Sequence, residues 1–366
     1  MEVIPMVDLK AQYAPLKSEI DIALHQCLQD AQFIGGKQVK LFEDKLAGYL
    51  GIKQVVSCGN GTDALQIALM ALDLPRGSKI IVPAFTYIAP LEVIRLLGFT
   101  PVYADVDPDT FNITRETIEK VYTEGVRAII VVHLFGRPCI MDEISGFAKE
   151  KQLYIIEDNA QSLGSEKNIT RDHLITTSFF PSKNLGAYGD GGAILCNNIE
   201  LAERCRMIAN HGQEQKYYHD VIGINSRLDS IQAAILNIKL NYLDVWIASR
   251  KRIASLYHEQ LKNIPVLKLP DSHSENNSTF HQYTIQVPSS LRADLQKYLS
   301  DKGIATMVYY PIPGYQQKAY LEKDIRLPIT EKLCTAVLSL PIYPEMTPNQ
   351  LLYICRQIST FFKSSV

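Results

Sequence analysis

The sequence predicts an α/β protein with one mainly parallel sheet of about seven strands, followed by a smaller C-terminal α/β unit. Two patterns carry this expectation. From residue 53 onward, short β-branched runs alternate with longer amphipathic segments, which is the rhythm of strand–helix–strand crossovers. After a polar loop at residues 269–279 the pattern shifts to fewer, more widely spaced segments. The expected division is therefore residues 1–245 and residues 246–366.

Each element follows from local pattern. Gln54–Ser57 reads as a strand and Ala64–Leu72 as its helix; Lys79–Val82 leads to a helix over Pro90–Leu97, and Val102–Val106 to one over Arg115–Tyr122. Four more strands follow at Ala128–Leu134, Leu153–Glu157, Ile175–Phe180 and Gly192–Cys196, with a helical segment near Asp142–Lys149. Ile199–Asn210 is a helix. Leu228 to about Leu261, rich in alanine and leucine, reads as one long helix leading out of the first unit. Tyr283–Val287, Leu291–Asp301, Met307–Tyr310, Glu331–Val337 and Gln350–Phe362 build the second unit. No internal repeat or low-complexity tract is present.

Composition narrows the function. The chain has 366 residues, 46% hydrophobic and 21% charged, enough for a large core. A net charge of −2 with dispersed basic residues argues against nucleic acid and anionic membrane, so small molecules and further copies of the chain are the expected partners. No apolar run approaches the ~20 residues that span a bilayer, and the first ten residues lack a basic-then-apolar leader, so a cytoplasmic location is expected. Seven cysteines without a Cys-x-x-Cys pair suit free thiols and no metal site.

Four segments carry candidate chemistry. Ser57-Cys58-Gly59-Asn60-Gly61-Thr62-Asp63-Ala64 joins a strand to a helix through glycines and capping residues, a cup whose unpaired N–H groups can bind phosphate; taken alone, the segment reads first as an ordinary N-cap without ligand. It is neither Gly-x-x-x-x-Gly-Lys-Ser/Thr nor Gly-x-Gly-x-x-Gly, which disfavours nucleoside triphosphates and dinucleotides. Pro83-Ala84-Phe85-Thr86-Tyr87 offers an aromatic that either stacks on a flat ligand or fills core. Glu157-Asp158 ends a buried strand, where open α/β sheets bind ligands; Asp158 suits a protonated pyridine nitrogen, or a helix N-cap, and Gln161 suits a ring oxygen. Finally, Ser178-Phe179-Phe180-Pro181-Ser182-Lys183 precedes a glycine turn. Lys183 is either a solvated loop lysine or an amine that forms a Schiff base with pyridoxal phosphate, PLP.

Taken together, Asn60-Gly61-Thr62-x-Ala64-Leu65, Pro83-x-Phe85-Thr86-Tyr87, Glu157-Asp158-x-Ala160-Gln161, Ser178 to Gly186 and Gly189-Asp190-Gly191-Gly192 resemble the DegT-StrS family of PLP-dependent nucleotide-sugar aminotransferases. The likeness extends to Asp8-Leu9-Lys10, Gly35-Gly36, His211-Gly212-Gln213, Gly223 to Asp229 and Tyr309-Tyr310-Pro311-Ile312-Pro313. It implies an aspartate-aminotransferase-like fold (PLP fold type I), with a mixed seven-stranded sheet in the large domain, and a homodimer with shared active sites. It makes Lys183 the Schiff-base lysine and Asp158 the partner of the pyridine nitrogen. It makes Gln161 a ligand of the phenolic oxygen and Tyr87 the stacking aromatic. Ser178 and the amides of Gly61, Thr62 and Asp63 would hold the phosphate, and Asn225 would complete that site from the neighbouring subunit. L-glutamate would convert PLP to pyridoxamine phosphate (PMP), which then aminates a nucleotide keto-sugar in amino-sugar or polysaccharide biosynthesis.

Within the family, His211-Gly212-Gln213 and Asn225-Ser226-Arg227-Leu228-Asp229 are closest to enzymes that aminate C3 of a 3-keto sugar. For a UDP-linked 3-keto-uronate, Arg227 would grip the carboxylate; for a dTDP-linked 3-keto-6-deoxyhexose it would be structural, ordering its loop by a salt bridge. Tyr309 and Tyr310 belong to the turn that lies near the sugar in relatives. Two departures fall on that side: Ser165–Asp172 is short and lacks the usual glycines, and Gly314-Tyr315 replaces the more common Leu-His. The rival readings are a pyridoxamine-dependent sugar dehydratase, against which Lys183 argues, a non-catalytic PLP-fold protein and a nucleotide-binding scaffold.

Overall fold

A computed structural model describes residues 3–271 and 277–365; part of the polar loop expected at 269–279 lies outside the described residues. The chain opens with helices α1 (Leu9–Asp30) and α2 (Lys37–Leu50). An alternating series follows: β1 (Gln54–Cys58), α3 (Gly61–Ala71), β2 (Lys79–Pro83), α4 (Ala89–Leu96), β3 (Thr100–Ala104), α5 (Arg115–Val121), β4 (Val126–Val132), α6 (Met141–Lys151) and β5 (Tyr154–Asp158). Next come β6 (Leu174–Ser178), β7 (Gly192–Cys196), α7 (Ile199–Ala209), α8 (Ser230–Lys239) and α9 (Leu243–Leu261). The remainder is β8 (Tyr283–Gln286), α10 (Ser289–Asp301), α11 (Pro328–Ala336), β9 (Val337–Leu340) and α12 (Pro348–Ser365).

Seven strands form one sheet in the order β1-β7-β6-β5-β4-β2-β3. Strands β6, β5, β4, β2 and β3 run parallel, and β7 is antiparallel to both β1 and β6. The central strands are continuous apolar runs because helices cover both faces, as a parallel sheet requires. Residues such as Ile81, Ile129, Ile130 and Ile156 are fully buried there. A second core, with Phe42, Leu46, Phe179 and Leu236, lies under α2 and α8. A third surrounds the antiparallel pair β8–β9 and contains Tyr257, Tyr283, Leu338 and Ile354.

The long helix expected from Leu228 to Leu261 is broken by a 3-10 turn at Leu240–Tyr242. The break changes which face is buried: α8 packs on α1 and α2, whereas the far half of α9 packs on α12. Leu243 and Ile247 of α9 belong to the sheet-side core, and Ile253, Tyr257 and Leu261 to the C-terminal one. The expected division at 245/246 therefore falls in the first turn of the helix that joins the two cores. Of the segment Met307–Tyr310, Met307 bridges to Ser339, while Val308, Tyr309 and Tyr310 pack against the large sheet's core. Helices α1 and α2 were not expected. All seven cysteines are buried and unpaired. Among the described residues no helix is long and apolar enough to cross a membrane, and no cluster of three metal-ligating side chains occurs.

Asp105, just beyond β3, caps α11 from outside the helix. Its carboxylate accepts from the amides of Ile329 at 3.0 Å and Thr330 at 2.8 Å, and from the Thr330 hydroxyl at 2.7 Å. Those amides are orphan donors of the first turn, which no residue of α11 satisfies. Asp105→Ala is expected to lower stability by about 1–2 kcal/mol, read as a lower thermal midpoint. An unchanged midpoint would show that water replaces the carboxylate without loss.

Candidate active site

The turn from β1 into α3 is built by Asn60, which is fully extended (φ −167°, ψ 174°) while its side chain accepts from the Asp63 amide at 2.8 Å. Asp63's amide is thereby satisfied, and Ala64's bonds the Asn60 carbonyl. This corrects the expectation of three open amides: Gly61 and Thr62, which have no acceptor within the helix, are the two that face outward at its positive end. The Asp63 carboxylate turns away to accept from the Ser226 hydroxyl at 2.6 Å. Gly192 lets the cup sit directly on β7, since a Cβ there would lie 2.4 Å from the Asn60 carbonyl.

At the end of β5, successive side chains point to opposite faces of the sheet. Glu157, fully buried, takes a bidentate grip from Arg171 (2.6 and 2.8 Å), and His133 Nε2 and His173 Nδ1 lie 3.0 and 2.7 Å from it. The Cys139 amide donates to His133 Nδ1 at 3.1 Å, so Nε2 carries the proton toward Glu157. Arg171 also grips Glu166 with two bonds. Burial opposes the Glu157 charge, but Arg171 and the two histidines hold its pKa well below the usual carboxylate value. Asp158 faces the other way. Its carboxylate accepts from the Ala160 amide at 3.0 Å, and burial pushes its pKa up while that amide and Lys183 pull it down. Among the described residues no cation lies within ion-pair distance of Asp158.

Lys183 sits in a closed turn. Its amide donates to the Phe180 carbonyl and Ala187's to the Phe179 carbonyl, both at 2.8 Å. Burial lowers the amine's pKa, and Asp158 acts against that. Asn184 Nδ2 reaches the carbonyls of Gln161 and Leu163 at 3.4 Å, tying the turn to the segment after β5. Gln161 Oε1 accepts from the Phe135 amide at 2.6 Å, and Nε2 donates one hydrogen to the Tyr310 hydroxyl at 3.2 Å, leaving its second hydrogen open. Tyr87 stands half exposed, its ring 6.1 Å from that of Tyr310.

These groups surround one cleft of about 440 Å³ at the C-terminal edge of the sheet. Of the residues singled out in the sequence, Gly61, Thr62, Tyr87, Asp158, Gln161, Ser178, Lys183, Tyr309 and Tyr310 line it. Asp63, Asn225 and Arg227 do not. Buried Ser226 and Leu228 alternate with exposed Asn225 and Arg227, so the last two point away from this chain's own cleft. Among the described residues Arg227 has no carboxylate within ion-pair distance. His281 and Gln282 also line the cleft and were not foreseen. They immediately precede a four-residue strand and carry no motif. Burial, together with the charges of Lys183 and Arg250, keeps His281 neutral.

The chain belongs to the DegT/DnrJ/EryC1/StrS aminotransferase family, whose profile matches residues 15–359. The UDP-2-acetamido-2-deoxy-3-oxo-D-glucuronate aminotransferase of Pseudomonas aeruginosa is 41% identical over 98% of this chain and all of its own. The UDP-N-acetyl-3-dehydro-alpha-D-glucosamine 3-aminotransferase of Acidithiobacillus ferrooxidans is 42% identical over 97% of each chain. Among solved structures, NtdA from Bacillus subtilis with bound cofactor PMP superimposes with a TM-score of 0.94 at 31% identity, over 99% of this chain and 86% of that one. The fold is thus the aspartate-aminotransferase type, fold type I of the PLP enzymes, and the protein is an aminotransferase of a PLP-dependent family.

Glu157→Gln is expected to cost about 3 kcal/mol, because it leaves Arg171 without its buried counter-charge. Since the folded pKa lies below the free value of 4.5, this stability is complete above that value and is lost as pH falls through the acid range beneath it. Denaturant melts between pH 7 and pH 3 should therefore fall more steeply for the wild type than for Glu157→Gln. Parallel curves would refute the assignment.

Proposed function

We propose that this protein transfers the amino group of L-glutamate to C3 of a UDP-linked 3-keto sugar, of the uronate type, with PLP as cofactor. The carrying observation is one cleft flanked by the Lys183 amine, an Asp158 carboxylate with no cation bonded to it among the described residues, and the open amides of Gly61 and Thr62. That donor set fits the cofactor: two amides at a helix N-terminus and the Ser178 hydroxyl suit a phosphate, and Asp158 suits a protonated ring nitrogen. PLP, when bound, supplies the electron sink that makes a Cα proton acidic.

The chain's own residues do the rest. Asp158, by keeping a ring nitrogen protonated, gains the cation its burial calls for. Lys183, its pKa lowered by burial, would hold the cofactor and, when free, would be the amine placed to carry a proton to and from the substrate. Tyr87 would cover one ring face, and the second N–H of Gln161 would be available to the phenolic oxygen. Residues 1–245 form the cofactor-holding domain and residues 246–366 the smaller one, which contributes His281, Gln282, Tyr309 and Tyr310 to the substrate wall.

The outward-pointing Asn225 and Arg227 act in a second copy's cleft, Asn225 on the phosphate and Arg227 on the sugar. Ser226 prepares them, bonded to the Gly59 amide at 2.9 Å and to Asp63 at the base of its own chain's cup. The working unit is then a homodimer with shared sites, in the cytoplasm. The two curated relatives named above differ in the sugar carboxylate, and an exposed guanidinium with no ion pair among the described residues matches the one that has it.

Purified protein loaded with PLP should show a visible absorbance band that glutamate bleaches and a UDP-linked 3-keto-uronate restores. Lys183→Ala should stay folded, bind PMP and lose turnover; a protein with no band at any PLP concentration would overturn the reading. For Arg227→Ala, KM for the uronate should rise about 10- to 100-fold, the loss expected for a charge-assisted pair. KM for the corresponding sugar without a carboxylate should barely move, and equal effects would place Arg227 in a structural role.

A further inference from the structure

Lys239, the last residue of α8, is completely buried. Among the described residues no carboxylate lies within ion-pair distance of its ammonium. Its Nζ instead donates to the Gly186 carbonyl and lies over the rings of Tyr188 at 4.8 Å and Trp246 at 5.8 Å. A buried ammonium held by a carbonyl and two aromatic faces is costly unless it serves something. What it touches is the turn that carries Lys183.

We infer that Lys239 is a positioning residue for Lys183, acting through the Gly186 carbonyl; this rests on the cofactor role proposed for Lys183. The linkage is continuous. Gly186 packs so closely under the start of the turn that a Cβ there would lie 2.2 Å from the Pro181 carbonyl oxygen and 2.9 Å from that of Phe180. The Phe180 carbonyl accepts from the Lys183 amide. A shift of Gly186 is thereby transmitted to the residues on which Lys183 is seated, because the contact leaves no room to absorb it.

Seven residues earlier, two turns along the same face of α8, Gln232 accepts from the Tyr188 amide at 2.9 Å and reaches its carbonyl with Nε2 at 3.5 Å. Gln232 and Lys239 thus hold both ends of the Gly186–Tyr188 segment against one helix. Position at the C-terminal end of α8 also favours a cation. Burial draws the Lys239 pKa down to about 8, with Glu345 acting against it, so the charge is present at neutral pH.

The test uses full-length protein and two variants. Lys239→Met keeps the length and removes both donor and charge; Lys239→Gln keeps a donor for the Gly186 carbonyl. Stopped-flow absorbance follows the band formed when apoprotein captures PLP, and steady-state kinetics separate kcat from KM for glutamate. Lys239→Met should retain its circular dichroism, form the band about tenfold more slowly and lose about tenfold in kcat, with KM within about twofold, as misplacement of a reacting group predicts. Lys239→Gln should recover most of both rates. Wild-type rates in Lys239→Met, or equal impairment in the two variants, would overturn the proposal. If Lys239→Met does not fold, Lys239→Gln decides alone, and a tenfold slower capture in that folded variant would overturn it. Band formation in the wild type and its absence in Lys183→Ala establish the cofactor reading separately.

Discussion

A carboxylate at the buried end of a central strand, with no cation within ion-pair distance among the described residues, is the constraint on which the site depends. Asp158 stands at the C-terminal end of β5, where desolvation pushes its pKa up and the Lys183 amine, whose own pKa burial lowers, pulls it down. Neither group neutralises the other through a direct bond. A chain that keeps such a pair at close quarters has a site whose charges are completed from outside, which is how perturbed titratable groups in a cleft mark function. The remaining architecture fixes the two groups relative to each other: β5 carries Asp158, the turn after β6 carries Lys183, and Asn184 bonds back to the segment following β5.

Strand alternation doubles the use of β5. The side chain next to Asp158 belongs to Glu157 on the opposite face, where Arg171, His133 and His173 surround it. A fully partnered carboxylate and a ligand-seeking one thus share adjacent residues. The first anchors the strand end so that the second can remain available. Arg171 comes from the segment after Gly164 and provides the cation for this buried network.

Much of this was legible in the sequence, and the reasons are specific. The crossover rhythm from residue 53 set seven strands within a few residues of their places, since parallel strands are short, apolar and bounded by turns. That Gly61, Thr62, Asp158, Ser178 and Lys183 meet in one cleft was readable because a strand-to-helix turn rich in glycine and a strand-end acid have local signatures. α1 was not legible: it contains Pro15 and buries only Gln12, Leu16, Ile20 and Cys27, too sparse a stripe to announce a helix. The 3-10 break at Leu240–Tyr242 reflects which cores the flanking helices pack on, a tertiary fact. His281, Gln282 and Lys239 have no motif and acquire meaning only from what the fold sets beside them. The third cup amide failed for a local reason, as Asn60 caps Asp63.

Family membership and the resemblance agree on the chemistry, and the geometry adds where each group stands. The central claim is that Lys183 is the amine to which the cofactor is bound, opposite Asp158. Borohydride reduction of the PLP-loaded protein, followed by peptide mass spectrometry, tests it most directly. The account predicts a single pyridoxyl-modified peptide with the label on Lys183. A label on another lysine, with Lys183 unmodified, would contradict it.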